Sequence, residues 1–124
     1  MVKIVLRIDC TKLNMKIKAS SRYARIAPTK VQPLARLLTG LSVADALRAT
    51  AFSRQKAAFL IGKVLKAAIA NAENNAKQSA EEFRVEQVIV ERGPIMRRHW
   101  SRSRGMVRPI MKRTSHIRIV LANE

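Results

Sequence analysis

Residues 83–121 read FRVEQVIVERGPIMRRHWSRSRGMVRPIMKRTSHIRIVL, and this stretch decides the fold. At its start, Phe83–Val90 is rich in β-branched and aromatic side chains. At its end, Ile117, Ile119 and Leu121 alternate with His116, Arg118 and Val120. Both are strand signatures, because such side chains pack well on a pleated, half-buried surface. Gly93-Pro94 punctuates one side of the intervening stretch and Gly105 sits near its middle, so the simplest connection is an antiparallel hairpin. Arms of about ten to fifteen residues at ~3.3 Å each would project ~30–50 Å beyond a core-packed base. From Arg92 to Arg118 there are nine basic side chains and no acid, with too few apolar residues to fold the distal part against anything. The hairpin needs a partner.

Upstream, twelve of the seventeen alanines lie between Ala44 and Ala80, which favours helix because alanine loses no side-chain entropy there. Ser42 with Asp45 resembles a capping box and opens a short helix through about Ala51. Ser53 is suited to cap a longer helix over Arg54–Ala76, where Ala57, Ile61, Val64, Leu65, Ala68 and Ala72 follow the spacing of one buried face. Lys56, Phe59, Lys63, Lys66 and Lys77 fall on the opposite face. Phe59 there either stacks on a base or covers a neighbouring element, and packing is the favoured reading. Residues 1–27 read as extended, with Val2, Ile4, Leu6 and Ile8 in a period of two and a second strand candidate from Met15 to Ile26. Pro28 suits a helix start, but an interior proline costs ~3 kcal/mol, so regular helix is expected only from near Pro33, ending at Gly40.

The chain has 124 residues and a net charge of +17, which fits a single domain spanning residues 1–124 with a polyanionic partner. The longest uncharged stretch, Leu37–Ala44, is far short of the ~20 residues of a membrane span. The first ten residues lack the apolar block of a signal peptide, and Lys3–Lys18 lacks the Arg- and Ser-rich bias of a transit peptide. Cys10 is the only cysteine, so no internal disulfide forms and a reducing compartment is expected.

Catalysis has little to stand on. His99 and His116 are far apart in sequence and no paired-carboxylate, phosphate-loop or zinc-ligand pattern accompanies them; Glu81-Glu82 reads as solvated loop. No cofactor, metal or small-molecule substrate is expected. The specific signal is the basic run Arg92, Arg97, Arg98, Arg102, Arg104, Arg108, Lys112, Arg113 and Arg118 with Trp100 interleaved. Arginine's planar fork suits bidentate phosphate contact, and an indole among arginines suits stacking on a base. Basic residues on three separate segments suggest a protein surrounded by polyanion; charge alone does not choose between RNA and DNA.

Four segments carry a family resemblance. Arg22-Tyr23-Ala24-Arg25-Ile26-Ala27-Pro28-Thr29-Lys30, Lys63 to Asn74 (KVLKAAIANAEN), Gly93-Pro94-Ile95-Met96-Arg97-Arg98 and Lys112-Arg113-Thr114-Ser115-His116-Ile117 resemble, in order and spacing, the bacterial-type large-subunit ribosomal protein L twenty-two family. The resemblance covers about residues 20–121 and leaves 1–19 as an unaligned extension. It implies an α+β fold, a small three-stranded antiparallel sheet packed with three helices, plus a long projecting basic β-hairpin over about residues 91–113. It further implies a structural, non-enzymatic role on a cytoplasmic ribosome, with an organellar one left open. The implied partners are large-subunit rRNA, neighbouring large-subunit proteins and the nascent peptide, with a part in subunit assembly and no membrane.

Carried over by position, Arg22, Arg25 and Lys30 would contact rRNA at the globular end. Arg97, Arg98, Lys112, Arg113, Ser115 and His116 would do so along the hairpin, where the basic run adds Arg92, Trp100, Arg102, Arg104 and Arg108. Met96, Arg97, Arg98, His99 and Trp100 would form a tip lining the peptide exit tunnel. His116 fits equally a hydrogen-bonded strand residue. The chain departs from the family pattern at Ala27, where a capping serine is usual, at Pro33, and in the turn Ser101–Val107. The main rival reading is an architectural DNA-binding protein with a basic β-ribbon arm. A cationic membrane-surface helix and a nucleic-acid enzyme are weaker rivals.

Overall fold

A computed structural model describes residues 16–76, 79 and 82–123. The strand expected at Val2–Ile8 lies outside the described residues, as do Cys10, Lys77 and Glu81. The elements run β1 (Lys16–Ala24), α1 (Pro28–Leu38), α2 (Val43–Phe52), α3 (Lys56–Asn71), β2 (Phe83–Ser101) and β3 (Val107–Asn123). The strands form one antiparallel sheet in the order β1-β3-β2, with the three helices packed on it. This is the α+β arrangement expected from the resemblance.

The central strand β3 buries Ile117, Ile119 and Leu121 toward the helices, beside Ala19 of β1 and Phe83 and Val85 of β2. Their alternation with Arg118 and Lys18 is the period-two pattern read from sequence. From α3 and the turn after it the six residues expected on one face, Ala57, Ile61, Val64, Leu65, Ala68 and Ala72, are all buried. Ser42 caps α2 as expected: its Oγ accepts from the Asp45 backbone N–H at 3.2 Å and donates to Asp45 Oδ2 at 2.8 Å. The loop after α1 is pinned to β2, with Gly40 N–H donating to Val85 O at 2.8 Å and Val85 N–H to Leu41 O at 3.0 Å. Gly40, at φ +87, takes the left-handed conformation that turns the chain there.

Four local expectations are corrected. Helix α1 starts at Pro28, and Pro33 lies inside it. Val31, Leu34, Ala35 and Leu38 share one buried stripe only if the helix begins early. Burying Val31, Leu34 and Leu38 at ~1.5–3 kcal/mol each outweighs the ~3 kcal/mol of one interior proline, which faces solvent in the second turn. Ser53 does not cap α3; it ends α2, and Gln55 precedes α3 without a side-chain cap. The regular helix stops at Asn71 and continues as a wider π-type turn over Ala72–Ala76. Among the described residues no element covers the Phe59 ring: it is 63% exposed, with the Lys63 ammonium 4.5 Å above it.

Candidate nucleic-acid interface

Strands β2 and β3 stay paired far beyond the core, from Phe83↔Asn123 to Ser101↔Val107. No residue from Glu91 to Arg113 is buried. From Arg92 to Ser101 the arm extends ~30 Å at ~3.3 Å per residue, at the lower end of the expected projection. The turn is made by Arg102–Met106, closed by Arg102 N–H donating to Met106 O at 2.8 Å. Arg104 and Gly105 take positive φ there, +61 and +69.

Pairing fixes which side chains share a face. Met96, Arg98 and Trp100 lie with Arg108, Ile110 and Lys112; Ile95, Arg97 and His99 lie with Pro109, Met111 and Arg113. Both faces therefore carry cations. Among the described residues the ion pairs are Lys16–Glu86, Arg48–Asp45 and Arg118–Glu91, so no carboxylate neutralises a cation between Arg92 and Arg113. Trp100 is 65% exposed and borders an open hollow of about 420 Å³ with Arg102, Arg108, Pro109 and Ile110.

The hairpin leaves the domain at paired irregularities. Gly93 and Pro94 together oppose Thr114 on β3, a bulge that bends the arm. Thr114 Oγ1 donates to Pro94 O at 2.6 Å. On the other side of β3, Arg22 and Tyr23 oppose His116. The Tyr23 backbone N–H donates to His116 Nδ1 at 3.0 Å, and the two rings meet edge-on with centroids 4.9 Å apart. Tyr23 is held at φ +57, a strained conformation for a side chain of this size. His116 is thus a hydrogen-bonded strand residue, one of the two roles left open for it.

At the hairpin's base lies an open cleft of about 680 Å³, where Arg25, Lys30 and Lys56 from the domain face Met96, Lys112 and Arg113 from the arms. Lys56 Nζ donates to Arg25 O at 3.1 Å, tying α3 to the segment after β1. Among the described residues no acidic side chain lines this cleft. Arg25, Lys30, Lys112 and Arg113 were legible as separate basic positions, but Lys56 was missed as a site residue. Its only sequence signal was its place opposite the apolar stripe of α3.

Other expected site residues fall elsewhere. Arg22 borders a separate hollow of about 180 Å³ with Glu91, His116 and Arg118. Ser115 is fully buried, because the alternation that carries Ile117 and Ile119 inward carries it too; it has no surface for RNA. Met96 is not at the tip: the strand continues five further residues to Ser101, ~17 Å, before the turn. Of Met96–Trp100, Trp100 comes nearest the turn, and Arg97, Arg98 and His99 line the exposed arm between. Arg92 pairs across from Ser115 at the arm's root.

Among the described residues no group of three or more His, Cys, Asp or Glu gathers, and no helix is long and apolar enough to cross a membrane. An α+β body carrying a long, acid-free cationic arm defines a structural protein that works by shape and charge. The sequence profile of the ribosomal protein L22p/L17e family matches residues 19–122. The large ribosomal subunit protein uL22 of Akkermansia muciniphila is 44% identical over 110 residues, 89% of this chain and 98% of that protein. That of Thermotoga sp. strain RQ2 is 46% identical over 107 residues, 86% of this chain and 67% of that one. That of Opitutus terrae is 40% identical over 109 residues, 88% and 96% respectively. The chain belongs to the ribosomal protein L22p/L17e family and is a structural, non-enzymatic component of the large ribosomal subunit.

Proposed function

We propose that the chain binds large-subunit rRNA through the hairpin and the cleft at its base. In this reading it supports subunit assembly and presents the hairpin's distal end to the peptide exit tunnel, beside the nascent chain and neighbouring large-subunit proteins. The observation that carries it is an arm with no buried residue from Glu91 to Arg113, cations on both faces and, among the described residues, no carboxylate partner for them. Such an arm has no core of its own and repels itself in isolation. Phosphates packed on both sides supply the missing counter-charge, and arginine forks fix their positions. The Arg25, Lys30, Lys56, Lys112 and Arg113 cleft joins the domain and the arm in one continuous basic surface. The rival β-ribbon on DNA calls for an apolar face to pair two copies, but the apolar face of α3 is buried against the sheet.

The test is Arg97→Ala combined with Arg98→Ala in the full chain. Affinity for in vitro transcribed large-subunit rRNA falls, and the salt slope drops by about 1.4, from ~0.7 per phosphate contact on single strands. Thermal unfolding of the free protein stays unchanged, because both side chains are exposed. A lowered melting point, or unchanged rRNA affinity, refutes this assignment.

A further inference from the structure

The hollow between α2 and α3 is a second place where cations and an aromatic ring converge, outside both the hairpin and its basal cleft. Helix α3 turns Lys56, Phe59, Lys63 and Lys66 to solvent. At 100° per residue these four lie within about 80° of one another, one narrow stripe along the helix. Beside the stripe is an open hollow of about 260 Å³ where Leu47 and Thr50 of α2 meet Gly62, Phe59, Lys63 and Lys66 of α3. Among the described residues no carboxylate lines it.

We infer that this hollow is an RNA contact in which the Phe59 ring stacks on an unpaired base while Lys63 and Lys66 meet the flanking phosphates. The inference rests on the rRNA-binding reading and adds a site to it. Its volume lies just below the ~300–1,000 Å³ of sites for drug-sized ligands, and it is shallow and open, which suits one flat ring. Phe59 is 63% exposed, and the Lys63 ammonium sits 4.5 Å from its ring centroid, so cation and aromatic face are already arranged together. Continuity favours RNA over a protein partner. Lys56 belongs both to this stripe and to the basal cleft, where it bonds Arg25 O. A strand leaving that cleft along α3 meets Phe59 one helical turn later.

The experiment measures binding of the full-length protein to in vitro transcribed large-subunit rRNA across a salt series. Phe59→Ala lowers affinity about 5- to 150-fold, the span of base–aromatic stacking, without changing the salt slope. Phe59→Leu loses as much, since apolar bulk without a ring does not stack, and Phe59→Trp retains binding. Lys63→Ala with Lys66→Ala lowers the slope by about 1.4. Unfolding midpoints of all variants match the parent, because these side chains are exposed. If Phe59→Ala binds like the parent while Arg97→Ala with Arg98→Ala does not, this inference is overturned and the hairpin reading stands. If Phe59→Ala binds rRNA normally but fails to retain a neighbouring ribosomal protein, the hollow is a protein dock and the inference is equally overturned. If the parent protein does not bind the rRNA, the underlying reading fails.

Discussion

Replacing Gly93 with alanine probes the joint between arm and domain. A Cβ at position 93 comes 2.4 Å from Thr114 Oγ1, 3.3 Å from the Thr114 carbonyl carbon and 3.4 Å from His116 Cε1. The hydroxyl cannot stay, yet it is the group that donates to Pro94 O at 2.6 Å. Rotating χ1 offers little relief, because threonine is β-branched and its methyl competes for the same space. Thr114 is only 5% exposed, so the lost hydrogen bond leaves a buried polar group at ~1–3 kcal/mol. Crowding against the backbone carbon adds ~1–3 kcal/mol, and partial relaxation brings the total to about 2–4 kcal/mol. For a chain of this size each kcal/mol moves the midpoint by about 3–6 °C, so Gly93→Ala melts roughly 6–24 °C lower. Thr114→Ala alone costs ~1–2 kcal/mol, and the double variant is no worse, because the new Cβ then enters the space the hydroxyl left. Thermal unfolding of the full-length protein followed by circular dichroism reads all three variants. A parental midpoint for Gly93→Ala, or a double variant that falls by the sum of the singles, refutes the steric account of this bulge.

Three further outcomes are expected. Ala27→Ser stabilises the free protein by ~1 kcal/mol, since Ala27 precedes α1 in extended geometry with no side-chain cap; urea denaturation midpoints check it. Ser42→Ala removes the bond accepted from the Asp45 N–H and costs ~1 kcal/mol in the same assay. Trp100→Ala leaves the melting temperature unchanged, because the indole is 65% exposed, but lowers affinity for large-subunit rRNA about 5- to 150-fold in filter binding.

Much of the fold was legible because its signals are local. The stripe Ala57, Ile61, Val64, Leu65, Ala68 and Ala72 repeats at helical spacing, and every one of these residues is buried. Ser42 and Asp45 stand three apart and cap α2 on each other. The acid-free run from Arg92 onward announced an arm that does not pack. What misled were features whose outcome depends on competition. Pro33 argued against an early helix, but burial of Val31, Leu34 and Leu38 prevailed. Ser53 is a good capping residue, but it stands at the end of α2. Phe59 belongs to a residue type that is more often covered, yet among the described residues its ring stays 63% exposed.

By itself the sequence determined the elements, the overall charge and the presence of a basic hairpin. These follow from periodicity, capping chemistry and composition, which act over a few residues. Only the tertiary structure decided where the functional groups meet. Register across β3 carried Ser115 into the core and set His116 against the Tyr23 amide, and extra residues at Arg22–Tyr23 and Gly93–Pro94 placed the joint of the arm. The same packing brought Lys56 beside Arg25 and set both in one cleft with Lys112 and Arg113. The physical reason is that a one-residue change of register or a single bulge reverses which face a side chain occupies, and pairing between strands distant in the chain leaves no short-range mark in the sequence.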